Sequence, residues 1–93
     1  DTVGAVVLLV PGDRLGEEIE AVPFERGSEG KLVHTAVRER ILPGGTVHAA
    51  FFPTLAPGDY RLRPAGGGDA AAPIADVRVV GGAVRELDVS AGV

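Results

Sequence analysis

The chain has no cysteine, methionine, tryptophan, asparagine or glutamine, and only four aromatic residues, Phe24, Phe51, Phe52 and Tyr60. Without cysteine there are no disulfides, no thiol chemistry and no zinc–thiolate centre. Absence of cysteine suits the cytosol without excluding secretion, so the compartment, cytoplasmic or extracytoplasmic, stays open. Four rings are too few for the stacking platforms that bind single-stranded nucleic acid. The basic residues are scattered and the net charge is −4, which argues against a nucleic-acid partner, since those surfaces carry a basic stripe. The longest apolar run, Ala5 to Val10, falls far short of the ~20 residues a membrane-spanning helix needs. No signal peptide is visible. Lacking methionine, the chain begins at Asp1, which is expected to reflect processing or a longer gene product. Lys31 is the only lysine, and the Ala, Gly, Val and Arg usage points to a GC-rich, bacterial gene.

Ninety-three residues, 45% of them hydrophobic, make one globular domain, 1–93, with a mostly aliphatic core. Fourteen glycines and seven prolines cut the chain into short runs rich in Val, Ile, Leu and Thr, the pattern of an all-β fold. Seven strands are expected. The first, Thr2–Val10, is apolar at nearly every position and reads as a central strand covered on both faces or nearly so. The others are Glu17–Val22, Lys31–Leu42, Thr46–Leu55, Tyr60–Pro64, Ile74–Val80 and Ala83–Val89. Tyr60, Leu62, Ala75, Val77, Val79, Leu87 and Val89 are assigned inward, and Gly81-Gly82 reads as a tight hairpin turn.

The strongest local signal is the hairpin from Lys31 to Leu55, turning at Pro43-Gly44-Gly45. A two-residue Gly44-Gly45 loop pairs Leu42 with Val47; a three-residue loop pairs Ile41 with Val47 and Val37 with Phe51. The second register is preferred, because it collects Val33, Val37, Ile41, Val47 and Phe51 on one core face. It leaves His34, Arg38, Arg40, His48 and Phe52 on the opposite face, and these five are the candidate interaction residues.

The segment from Phe51 to Leu62, FFPTLAPGDYRL, resembles the F-x-x-L-x-x-G-x-Y-x-L stretch of prealbumin-like β-sandwiches, with the Phe, Leu, Tyr and Leu pointing inward around a Pro-Gly turn. Val77 to Val89 extends the likeness as two further strands. These sandwiches include carboxypeptidase regulatory-like, transthyretin-like and collagen-adhesin B-type repeat domains. The resemblance implies a seven-stranded antiparallel Greek-key sandwich and says little about function. Self-crosslinking adhesin domains need a Lys with an Asn or Asp; here there is one lysine and no asparagine. The transthyretin-like hydrolases end in Tyr-Arg-Gly-Ser, whereas this chain ends Leu87-Asp88-Val89-Ser90-Ala91-Gly92-Val93.

Other chemistry is thinly supported. In the preferred register His34 and His48 lie about 20 Å apart at strand rise, too far to share a metal. Asp13, Glu17, Glu18 and Glu20 match no calcium-loop spacing and read as a solvated strand face. Gly66-Gly67-Gly68 precedes no Gly-Lys-Ser/Thr, and Ser28 and Ser90 sit in no nucleophile elbow. Arg61 and Arg63 could join Arg38 and Arg40 in a basic face near Phe52 and Tyr60. The expected role is a non-catalytic accessory or protein-interaction module of a larger bacterial protein or assembly, with no cofactor. A protein partner is expected, and edge strands offer a route to a homo-oligomer. The alternative is a carbohydrate- or small-ligand-binding module, and a transthyretin-like hydrolase stands third.

Overall fold

The computed structural model describes residues 2–25 and 32–91; the expectations for Lys31, Ser28 and most of the 25–30 loop fall outside them. Within them lie eight strands: β1 Gly4–Val10, β2 Glu18–Pro23, β3 Val33–Ala36, β4 Arg38–Leu42, β5 Gly45–Leu55, β6 Gly58–Pro64, β7 Ala75–Val79 and β8 Val84–Asp88. They form two four-stranded sheets, in the orders β4-β5-β1-β8 and β3-β2-β6-β7. The all-β sandwich expected from the sequence is therefore present.

Alternation along the strands builds the core between the sheets. From the first sheet Val6, Leu8, Val10, Ala50, Phe52 and Leu55 point inward; from the second, Ile19, Ala21, Tyr60, Leu62, Val77 and Val79. Phe52 and Leu55, three apart, both reach the core because the β1–β5 register shifts between Val6↔Phe52 and Gly4↔Leu55, a bulge of the kind that re-aims side chains. It includes Pro53, which has no amide to donate. The next corner is fastened by the Tyr60 hydroxyl, which donates to the Ala56 carbonyl at 2.7 Å. Burial raises the pKa of that hydroxyl above its ordinary value and keeps it a donor.

Three expectations are corrected. The strand expected over 31–42 is two strands in different sheets. The chain crosses at Val37, whose side chain is 1% exposed. Its amide donates to the Glu17 carbonyl at 2.8 Å and its carbonyl accepts from the Gly16 amide at 3.0 Å. With both backbone groups satisfied by the loop before β2, Val37 can leave the ladders without leaving a buried polar group unpaired.

The hairpin register is neither of those weighed. Leu42 pairs with Gly45 and Arg40 with Val47, so the loop is Pro43-Gly44. Gly45, at φ +138°, a conformation that favours glycine, is the first residue of β5 and not part of the loop. A one-residue slip exchanges the two faces of a strand. Phe52 is accordingly 0% exposed, while Phe51 is 42% and Ile41 81% exposed.

Finally, β7 and β8 do not form a hairpin. The Gly81-Gly82 turn carries the chain from the second sheet to the first, where β8 runs parallel to β1, Leu8 beside Leu87. The sandwich is thus antiparallel except for this pair. The crossover is tight: a Cβ on Gly4 would come within 2.4 Å of the Val80 carbonyl oxygen.

Candidate interaction surface

A sandwich has two outer faces, and register assigns each exposed side chain to one of them. On the second sheet the outward residues form a lattice of opposite charges. Arg63 lies opposite Glu20, Arg61 opposite Asp76, and Arg78 opposite Asp59. Each is an ion pair: Arg63 Nε to Glu20 Oε2 at 2.6 Å, Arg61 Nε to Asp76 Oδ1 at 2.9 Å, and Arg78 Nη2 to Asp59 Oδ2 at 3.1 Å. His34 Nδ1 meets Glu18 Oε1 at 2.9 Å, and Arg61 stands 5.1 Å from the centre of the Phe24 ring, a cation–π distance. The Glu20–Arg63 pair is nearly buried, at 8% and 11% side-chain exposure. The hydrogen bond from Arg61 holds the Asp76 carboxyl below its usual range.

The outer face of the first sheet is of another kind. Ala5, Val7 and Leu9 of β1 alternate with the core residues and are half-buried. Val7 pairs with Phe51 and Leu9 with Ala49 on β5; Val7 pairs with Glu86 and Leu9 with Asp88 on β8. Arg38 and Arg40 pair with Ala49 and Val47 at the other edge. The face is therefore an apolar strip of half-buried Ala5, Val7, Leu9 and Val47 and exposed Phe51 over a buried Ala49, bordered by arginines on β4 and by carboxylates on β8. Val84, 68% exposed, continues it. Among the described residues Arg38, Arg40 and Glu86 make no ion pair. Asp88 accepts hydrogen bonds from the Ser90 hydroxyl and amide, which lower its pKa.

The turn end of the first sheet projects beyond the sandwich. β4 packs on β5 and scarcely touches another element, and every residue from Arg38 to Thr46 is exposed. Where this arm parts from β3 it opens a groove of about 510 Å³, lined in part by Thr35, Ala36, Arg38, Arg40, Phe51 and Pro53.

The five residues expected to share one face are dispersed, and that face is corrected. Arg38 and Arg40 do lie together, beside Phe51. Phe52 is in the core. His48 has the inward parity of Val10 and Phe52. It sits at the rim over the single 3₁₀ turn Gly12–Arg14, its Cε1 3.1 Å from where a Gly12 Cβ would be, with Glu39 Oε2 4.0 Å from its Nε2. His34 belongs to the other sheet. Among the described residues there is no group of three or more His, Asp or Glu suited to a metal. The acidic stretch is divided too: Glu17 pairs with Arg14, Glu18 with His34 and Glu20 with Arg63. Arg61 and Arg63 belong to the charge lattice, and Tyr60 is buried, so the basic face imagined from all four arginines does not assemble.

Sequence reasoning passed over Val7, Leu9, Phe51, Glu86 and Asp88. The signal for the first two was the unbroken apolar run of β1, which makes both of its faces apolar. Comparison with protein-family models, with curated proteins and with solved structures returned no match.

Proposed function

We propose that the chain is a non-catalytic protein-interaction module whose docking surface is the outer face of the β4-β5-β1-β8 sheet. One observation carries this reading: that face is apolar and bordered by unpaired charges, while the opposite face has its charges paired within the chain. An antiparallel sheet facing water is ordinarily polar outside, and contiguous exposed apolar patches mark contact surfaces. The projecting arm, exposed on both sides with Ile41 and Leu42 near its tip, adds to the same reading, because a two-stranded hairpin gains little stability alone in water.

The finer fold belongs to the same proposal. The prealbumin-like, Greek-key assignment draws support from the F-x-x-L-x-x-G-x-Y-x-L segment, which has a physical rationale here: Phe52, Leu55, Tyr60 and Leu62 are core, and the tyrosine bonds back across the Pro-Gly corner. A sandwich of this kind serving as an accessory part of a larger bacterial assembly suits an uncovered apolar face. A small-ligand reading has the groove beside Arg38 and Arg40 in its favour, where two free guanidinium groups suit an anionic ligand.

The test is photo-cross-linking in cells, with a benzophenone side chain placed at Val7 on the open face or at Arg78 on the charged one. Protein adducts from position 7 and none from position 78 are expected. Adducts from position 78 alone would count against the surface.

A further inference from the structure

We infer that the open face pairs with a second copy of this chain, across a two-fold axis parallel to the strands. The inference rests on the interaction reading above and names its partner. Four residues form one transverse row across the sheet, Arg38, Ala49, Leu9 and Asp88, through the pairings Arg38↔Ala49, Ala49↔Leu9 and Leu9↔Asp88. The row is basic at one end, apolar in the middle and acidic at the other. Two identical faces packed together are related by a two-fold axis lying between them. If that axis runs along the strands, each residue keeps its level while the sheet edges exchange. The two edge strands share only this row, so Arg38 meets Asp88 of the second copy, and Leu9 of one copy meets Ala49 of the other. Glu86 and Arg40 lie one step from this row on opposite sides of it, and Phe51 and Val7 extend the apolar contact.

The perpendicular in-plane axis would set β4 over β4 and bring arginines against arginines, so the charges select one of the two arrangements. Strands in the two copies then run in nearly the same direction, the aligned packing common to stacked sheets. A foreign partner would have to carry the same basic-apolar-acidic order in reverse; a second copy carries it by symmetry.

The footprint sets the expected strength. All four strands, about 4.8 Å apart, share only that one row, and beyond it the contact narrows, which leaves a backbone footprint of at most about 200 Å². That lies well under the ~800 Å² per partner of a standard interface. The dimer is therefore weak, with Kd between about 10 μM and 1 mM.

Sedimentation of the purified chain from about 10 μM to about 2 mM reads this directly. The wild type should pass from monomer to dimer across that range. Phe51→Lys should remain a monomer, and Arg78→Ala on the other face should behave as wild type. Two charge variants decide the axis. Arg38→Glu with Arg40→Glu makes both edges acidic; Glu86→Arg with Asp88→Arg makes both basic. Each alone should fail to dimerise, and an equimolar mixture should associate at least as well as the wild type, because every acidic edge then meets a basic one. A mixture that stays monomeric while the wild type dimerises overturns the proposed axis. A wild type that stays monomeric throughout overturns self-pairing. Should position 7 then still cross-link a different protein in cells, the interaction reading stands and only its partner is wrong.

Discussion

The two outer faces of the sandwich solve the same problem in different ways. The β3-β2-β6-β7 face has its charges satisfied by neighbours on adjacent strands, down to a Glu20–Arg63 pair almost removed from solvent. It is complete within the chain. The β4-β5-β1-β8 face has half-buried Val7 and Leu9 in its middle, and at its borders Arg38, Arg40 and Glu86 make no ion pair among the described residues. Both sheets are laddered along most of their strands, the first with one bulge between β1 and β5. The difference lies in where each outward side chain finds its partner. A face whose charges pair internally gains nothing from a second protein; a face whose apolar strip is left in water gains free energy from being covered.

The largest expected effect tests the register that defines the open face. Phe52→Ala should cost about 3–5 kcal/mol, as for a large ring removed from a packed core. Phe51→Ala, its neighbour on the other side of the same strand, should cost under about 1 kcal/mol, the scale of one cross-strand pair with Val7. Urea denaturation of the two variants at a concentration where the wild type is monomeric measures both. Similar losses would mean that the two rings are not on opposite faces, and the comparison would collapse.

Next in size is the charged face. Glu20→Ala removes one partner of the Arg63 guanidinium in a site only 11% exposed. A loss of about 1–3 kcal/mol is expected, the scale of one hydrogen bond between charged groups. The same change on the open face, Glu86→Ala, should move stability by less than about 0.5 kcal/mol. If the two cost the same in thermal unfolding, the pairing of charges is not what distinguishes the faces.

Much of this architecture is legible in the sequence, and what was missed has identifiable causes. Glycine and proline punctuation places six of the strands within about two residues, because turns depend on local chemistry. The break at Val37 leaves no local mark. Val33, Val37 and Ile41 share one parity, as an unbroken strand requires, and the crossing is made possible by bonds to Gly16 and Glu17, some twenty residues earlier. The Pro43-Gly44-Gly45 turn is ambiguous for the opposite reason: three consecutive turn formers permit several loops, and only pairing with β1 decides which phenylalanine goes inward. The F-x-x-L spacing held that answer, since three residues before Leu55 is Phe52. Alternation in the preferred register pointed the other way because it did not include the bulge at Pro53. Of the proposed surface, Arg38 and Arg40 are the residues that the sequence reading also named. Their acidic counterparts on β8 are not legible there, because β8 pairs in parallel with a strand 79 residues earlier and leaves no local trace.

Smaller again are the exposed pairs. Arg78 and Asp59, at 70% and 47% side-chain exposure, should show a coupling of about 0.2–1 kcal/mol in a double-mutant cycle, which salt reduces. Arg40 paired in such a cycle with any carboxylate of its own chain should show none while the protein is monomeric. A measurable intramolecular coupling at Arg40 would mean that its charge is satisfied at home, as on the other face.

The subtlest difference is a titration, one aspartate to each face. Asp76 and Asp88 both lie below the ordinary value of 3.8, Asp76 through the hydrogen bond and charge of Arg61, Asp88 through the Ser90 hydroxyl and amide. Because each folded pKa is depressed, each group contributes stability that is fully present above the unfolded value and is lost as pH falls through the folded one. The causes separate them. Arg61→Ala should return Asp76 toward 3.8 and leave Asp88 unmoved; Ser90→Ala should do the reverse. Added salt should raise Asp76, whose partner is a charge, and barely touch Asp88, whose partners are neutral dipoles. Carboxyl-carbon NMR titration resolves both residues in one experiment. Concentration adds the last discrimination. In a dilute sample Asp88 answers only to Ser90, but in the two-fold dimer it also faces Arg38 of the second copy, so its pKa should fall further as the chain associates while Asp76 holds still. An Asp88 titration independent of concentration, in a sample that sedimentation shows to be dimeric, would place the contact somewhere other than the open face.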